Sequence, residues 1–249
     1  MMLRMASTII CLLAALVPVF GNERSTAQIE GRVLARQLRE MRPAEDSAHK
    51  GVLKIYDGRR VRAEIPVQLQ TVVTATNWQA IYTTTGTNHT NAATLTVICT
   101  DNQPNRYRLL KPVAAEGPTN QFACLAGNAA MIPFAGSDFW LADLGLEFLH
   151  WPEQQILKKE LRRSQSCNVL ESINPNPAPG TYARVVSWID IDTGGIVYAE
   201  AFDANRRRMK EFLPKAVKKV AGQYQVQQME MYDAQTRSRT VLEFDFDDR

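Results

Sequence analysis

Residues 138–246 consist almost entirely of short runs in which apolar and polar side chains alternate, separated at close intervals by turn residues. Period two places successive side chains on opposite faces of a strand, so the rhythm predicts antiparallel β-structure for this half of the chain. Residues 182–189 and 196–202 flank Asp192-Thr193-Gly194-Gly195, a strong hairpin signal. Residues 155–163 and 167–173 flank Ser164-Gln165-Ser166, and residues 224–232 and 239–246 form a last hairpin. Within that final strand Leu242, Phe244 and Phe246 share one face, while Val241, Glu243, Asp245 and Asp247 share the other. Sequential strands joined by tight turns make an antiparallel meander.

The first half has the same character after an initial helix. Between residues 24 and 42, Ile29, Val33, Leu34, Leu38 and Met41 recur at helical spacing, with Arg32, Arg36, Arg39 and Glu40 elsewhere. Pro43 ends the helix, and residues 44–49 make a polar connection. The apolar stripe suits a helix packed on the domain or a lid over a cavity. Val61, Ala63, Ile65, Val67 and Leu69 alternate with polar residues in one strand, as do Leu95, Val97 and Cys99 in another. Residues 78–85 are a further β-rich run, and Asp57-Gly58 and Asp101-Asn102 are turns. Residues 111–137, with Pro112, Pro118, Pro133 and three glycines, predict a long loop, and residues 174–180 a proline-rich one. Ser137 or Asp138 is placed to cap a short helix running to about Leu144. The expected fold is mainly β with a few helices: a curved antiparallel sheet, or incomplete β-barrel, with helices on its concave face.

Residues 1–21 have the form of a cleaved signal peptide, with Arg4 before an apolar core too short to span a bilayer comfortably. The expected organisation is therefore a signal peptide over 1–21, an amphipathic helix over 22–43, and one β-domain over 44–249 on which that helix packs. Export leaves Cys99, Cys124 and Cys167 in the mature chain. No CxxC pair is present, so zinc and thioredoxin-like chemistry are unsupported. One pair could close as a disulfide, Cys99 and Cys124 being the nearer in sequence, or all three could be buried as small apolar residues. The net charge of +3, with both signs interspersed, is too small and too mixed for nucleic-acid binding.

Reactive constellations are not evident. His49, His89 and His150 lie apart with no metal-ligand spacing, and neither a GxSxG motif nor a Gly-rich phosphate loop occurs. Asp190-Ile191-Asp192-Thr193-Gly194 lacks the ligands of a calcium loop and suits a turn better. Arg206, Arg207 and Arg208 suit a solvated hairpin tip or a docking patch for an anionic membrane or acidic partner. The expectation is no catalytic residue, no metal and no cofactor. A curved sheet with a bulky apolar concave face must be filled by helices, by ligand or by both. Trp140, Leu141, Leu144, Trp188, Tyr198 and Phe202 are the candidate residues for lining such a lipid cavity.

Residues 138–152, 167–175, 182–202 and 210–246 resemble the outer-membrane lipoprotein-sorting protein family, LolA-like. The resemblance implies an incomplete antiparallel barrel with helices against its concave side. It also implies a periplasmic, non-catalytic carrier that shields lipid or lipoprotein acyl chains between an envelope membrane-protein donor and acceptor. A monomer is expected. Members of the group hold the helical lid closed with an arginine near the start of the sheet. Arg59, Arg60 and Arg62 lie in that region, and no motif selects one of them. The alternative is a periplasmic sensor or adaptor that uses the same fold to bind a partner protein.

Overall fold

The computed structural model describes residues 25–86, 92–111, 121–220 and 223–246. The expected signal peptide, His89, Pro112, Pro118 and Asp247 lie outside the described residues. Six strands run in sequence toward one edge of a sheet: β1 (Ser47–Asp57), β2 (Arg60–Val73), β3 (Asn77–Thr84), β4 (Ala93–Thr100), β5 (Arg106–Lys111) and β6 (Gln121–Leu125). The chain then reappears at the opposite edge as β7 (Glu153–Arg162) and steps back through β8 (Gln165–Ile173), β9 (Arg184–Asp190), β10 (Ile196–Phe202), β11 (Arg208–Val220), β12 (Gln223–Asp233) and β13 (Ser238–Asp245). β13 pairs antiparallel with β1, and this joins two meanders into one 13-stranded sheet ordered β6-β5-β4-β3-β2-β1-β13-β12-β11-β10-β9-β8-β7. The sheet curls without closing, as the alternation and turn chemistry predict.

This order has a direct consequence. β6 and β7 are consecutive in sequence but lie at opposite edges, so residues 126–152 must cross the sheet. They do so on its concave side. This strap contains a 3-10 turn (Gly127–Ala130), the short helix α2 (Leu141–Leu144) and a second 3-10 turn (Glu147–His150). Phe134, Phe139 and Leu141 of the strap are buried against Leu53, Ile65, Leu95, Leu242 and Phe244 of the sheet. The expected face of β13 is confirmed, with Leu242, Phe244 and Phe246 all buried.

Three local expectations are corrected. Residues 111–137 are not loop throughout, because they include β6. That strand is five residues long and has one neighbour, and Phe122 on it is exposed, so no buried alternation marks it. The helix near Ser137 begins later, at Leu141. The Trp140 N–H donates to Asp143 Oδ2 at 2.7 Å, while Asp138 turns to the sheet instead of capping. Finally, the turn before β8 is Arg163-Ser164, both with positive φ, rather than Ser164 to Ser166.

Helix α1 (Thr26–Glu40) forms with a reciprocal cap: Gln28 N–H donates to Ser25 Oγ, and Ser25 N–H to Gln28 Oε1. It packs on edge strand β7 and the strap's second 3-10 turn, through Leu34 and Leu38 but not the rest of the stripe expected from its large residues. Ile29 is 53% exposed and Met41 56%, with Val33 also exposed. Gly31 and Ala35 are buried instead, with Leu34 and Leu38 half-buried. The reason is distance of approach. A Cβ on Gly31 would lie 2.5 Å from Gln155 Cα, so the helix backbone rests almost directly on β7. Arg42, just beyond the helix, donates to Thr74 O at 2.9 Å and Asn77 O at 3.3 Å and pairs with Asp101 at 3.4 Å. This ties the C-terminal end of α1 to the β2–β3 and β4–β5 turns. Arg59, Arg60 and Arg62 are exposed around the β1–β2 turn. Gly31→Leu is expected to lift α1 from β7 and cost about 1–3 kcal/mol in urea unfolding, the range for overpacking. An unchanged midpoint would show that α1 contributes little to the folded state.

Candidate functional site

Between the strap, α1 and the curled sheet lies a cavity of about 480 Å³, within the size range of small-molecule sites. Its wall draws on both halves of the sheet. Trp78 and Tyr82 come from β3, Ala199 and Ala201 from β10, and Phe212, Met229 and Met231 from β11 and β12. The strap adds Phe139, Leu144 and Phe148, and α1 with its C-cap adds Leu38 and Met41. Most of these are apolar. Small residues at Ala199 and Ala201 leave the space that larger side chains would fill.

One part of the wall is polar and deeply buried. Lys210, only 2% exposed, projects from the concave face of β11. Its ammonium donates to Asp138 O at 2.6 Å, lies 3.5 Å from Asp143 Oδ2 and sits 3.7 Å from the centre of the Trp140 ring. Tyr182 donates to the same Asp143 oxygen at 3.3 Å and stacks on Trp140 with ring centres 4.4 Å apart. Burial raises the Asp143 carboxyl above the usual range and lowers the Lys210 ammonium, each opposed by the other's charge. Both partners are thus pushed toward neutrality, as expected where desolvation outweighs a long ion pair.

A second buried acid pins the other end of the strap. Tyr107 of β5 donates to Glu147 Oε2 at 2.9 Å, and Asn105 donates to Gly145 O at 2.6 Å. Glu147 is 4% exposed, and burial carries its carboxyl up to about 7 against the hydrogen bonds from Tyr107 and the Gly127 N–H. Nearby, burial and then the Arg39 charge lower His150 to about 4.

The six residues expected to line a cavity separate between the two sides of the sheet. Leu144 lines the cavity. Leu141 is wholly buried in the core beneath it, and Trp140 lies behind the polar wall, stacked on Tyr182. Trp188, Tyr198 and Phe202 occupy the outer face, the register β9–β10 pairing Trp188 with Tyr198 and Phe202 with Arg184. There the Arg162 guanidinium covers the Trp188 and Tyr198 rings at 4.8 and 4.1 Å, and the Arg184 guanidinium covers Phe202 at 5.0 Å. Trp188 also donates to Glu160, and Arg184 pairs with Glu171. This is a second small core roofed by arginine stems, and it does not reach the cavity. Asp143, Lys210 and Tyr182 were not anticipated, although Asp143 is the one charged residue in the apolar stretch 139–146.

Other candidates resolve simply. Asp190 Oδ2 accepts from the Thr193 N–H and hydroxyl, so the Asp190–Gly194 segment is a turn. Arg208 pairs with Glu200 and Glu211, while Asp203 accepts from the Asn205 and Arg207 N–H groups in the turn. The three cysteines are free. Cys99 and Cys124 lie on β4 and β6 with β5 between them and Cys124 level with Thr96, more than about 10 Å apart at ordinary strand spacing and beyond disulfide reach. Among the described residues no helix is long and apolar enough to cross a membrane.

A family model described as "-like: Uncharacterized protein" matches residues 118–246, more than half of the chain. The chain belongs to that family. Its fold is LolA-like. A DUF1329 family protein from Desulfovibrio piger superposes with a TM-score of 0.73 at 18% identity, covering 89% of this chain and 92% of that one. A domain from Vibrio parahaemolyticus described as an outer membrane lipoprotein-sorting protein domain gives 0.72 at 17% identity, covering 88% and 92%. A LolA superfamily protein from Nitrosomonas europaea gives 0.59 at 15% identity, covering 89% and 93%. No curated protein sequence matches at a significant level. At these identities the LolA-like neighbours establish the architecture. The strap's buried acid Glu147 has a measurable signature. A carboxyl raised to about 7 binds its proton more tightly folded than unfolded, so its contribution is complete at acid pH and lost as pH rises toward and through 7. Glu147→Gln should therefore gain stability relative to the parent between pH 5 and 8, on the order of 2–3 kcal/mol by urea unfolding. A difference independent of pH would place Glu147 in a solvated site.

Proposed function

We propose that this protein is a non-catalytic carrier that shelters an acyl chain of a lipid or lipoprotein between its curled sheet and its helices, after export to the periplasm. One observation carries the reading: the mostly apolar cavity of about 480 Å³ enclosed by the strap, α1 and both halves of the sheet. An acyl chain gains about 0.8 kcal/mol for each methylene removed from water, so it does not leave a membrane freely. A carrier must supply comparable apolar surface and later surrender it. The LolA-like architecture of the neighbours supports the same reading. Donor and acceptor would be envelope membrane proteins, and the carrier would act as a monomer.

The two coverings of the cavity differ in how firmly they are held. The strap is fixed by Lys210, Asp138, Asn105 and the Tyr107–Glu147 pair. α1 lies on the edge strand through small residues and is tethered at its end by Arg42. Loading by displacement of α1 leaves the strap in place. The empty protein then covers its own apolar wall, and net affinity is the difference between two similar burial terms, which permits release.

Ala201→Trp, which projects an indole into the cavity, should weaken binding of a fluorescent hexadecyl probe by about tenfold or more while the circular dichroism is retained. Mass spectrometry of protein purified without detergent should find acyl lipid in near-stoichiometric amount. Absence of both co-purifying lipid and probe binding in the unaltered protein would overturn the carrier reading.

A further inference from the structure

We infer that the cavity is built to take a long-chain carboxylic acid with its carboxyl group inward, held at Lys210, Asp143 and Tyr182. The inference rests on the carrier reading and narrows its cargo. All three residues line the cavity, and all lie at its buried side: Lys210 is 2% exposed and Tyr182 4%. The Lys210 ammonium, with three protons to donate, has one short hydrogen bond, 2.6 Å to Asp138 O, a 3.5 Å approach to Asp143 and the Trp140 ring at 3.7 Å. The three contacts that reach the Asp143 carboxyl from Trp140, Tyr182 and Lys210 all converge on Oδ2.

A chain entering methyl-end first, as the tail of an anchored lipoprotein would, brings hydrocarbon against this polar pair and satisfies none of it. A carboxyl group entering first meets a donor in Lys210 and a second carboxyl in Asp143. Two carboxyls sharing one proton beside an ammonium leave no net charge uncompensated. The other acid close by is occupied, since Asp138 accepts from the Thr240 hydroxyl at 2.7 Å and from Ser238. Asp233 lies near enough to act on Lys210 only through its field. The hydrocarbon of the ligand then runs outward along Ala199, Ala201 and Phe212, which line the same wall.

The test compares palmitic acid with methyl palmitate, equal in chain length and different only at the polar end. Isothermal titration of the delipidated protein should give the acid at least about tenfold tighter, about 1.4 kcal/mol. In Lys210→Met the ratio of the two affinities should fall to about one, whatever the absolute values. Equal affinities in the unaltered protein would overturn this inference and leave the carrier intact. Binding of neither would overturn the carrier reading and the inference with it. Should Lys210→Met fail to fold, the comparison in the unaltered protein decides alone.

Discussion

Asp138 ties the strap to the sheet through its main chain and its side chain alike. Its N–H donates to Thr240 Oγ1 at 2.9 Å, its carboxylate accepts from the Thr240 and Ser238 hydroxyls, and its carbonyl accepts from Lys210. These contacts fix the strap to β13 and β11, beside the seam where the two meanders meet. A strap that must pass between opposite sheet edges carries many backbone groups over an apolar surface. Buried polar groups without partners cost 1–3 kcal/mol each. The crossing therefore becomes stable only where the sheet supplies polar side chains at matching positions: Thr240, Lys210 and Tyr107 on its concave face, with Asn105 just before β5.

Once the strap is fixed there, the cavity follows. The strap fills the hollow over β1, β2, β4 and β13, where Phe134, Phe139 and Leu141 interdigitate with large sheet residues. Toward β9 and β10 the sheet offers Val185, Ala199 and Ala201 instead, and the strap has turned away to reach β7. The unfilled volume is a consequence of small residues on one side and a constrained path on the other. α1 covers it only in part, from the far edge.

Alternation and most of the strands were legible because period two and turn chemistry are local, whereas the short edge strand β6 and the start of β1 at Ser47, within the expected polar connection, were not. The side of the sheet on which a residue lies was legible only where one face is polar. Trp188, Tyr198 and Phe202 read as interior aromatics, yet they sit on the outer face because Arg162 and Arg184 roof them with their aliphatic stems and guanidinium planes. An apolar residue can be buried by a long charged neighbour as well as by a core, and alternation cannot tell the two apart. The reverse failure occurs in α1. Its large residues were expected inward, but Gly31 and Ala35 permit a closer approach to β7 than Ile29 or Val33 would. The polar wall was unreadable for a third reason. Asp143 and Lys210 lie far apart in sequence, and only the return of β11 to the sheet's concave face brings them together.

That contrast between α1 and the strap gives the fold its working asymmetry. An interface centred on Gly31 and Ala35 buries little area per residue, at about 25 cal/mol for each Å² of apolar surface, so α1 is held by close contact, by the half-buried Leu34 and Leu38 and by Arg42. The strap is held by buried polar contacts whose loss would strand charged or hydrogen-bonding groups. Displacing α1 exposes modest apolar area, some of it replaceable by a ligand's own methylenes. Displacing the strap would leave Lys210 and Tyr107 without the strap groups that satisfy them, a cost no hydrocarbon can offset. On the proposed carrier reading, α1 is the covering that ligand would exchange with and the strap the one that stays, and the division falls where the polar pins end.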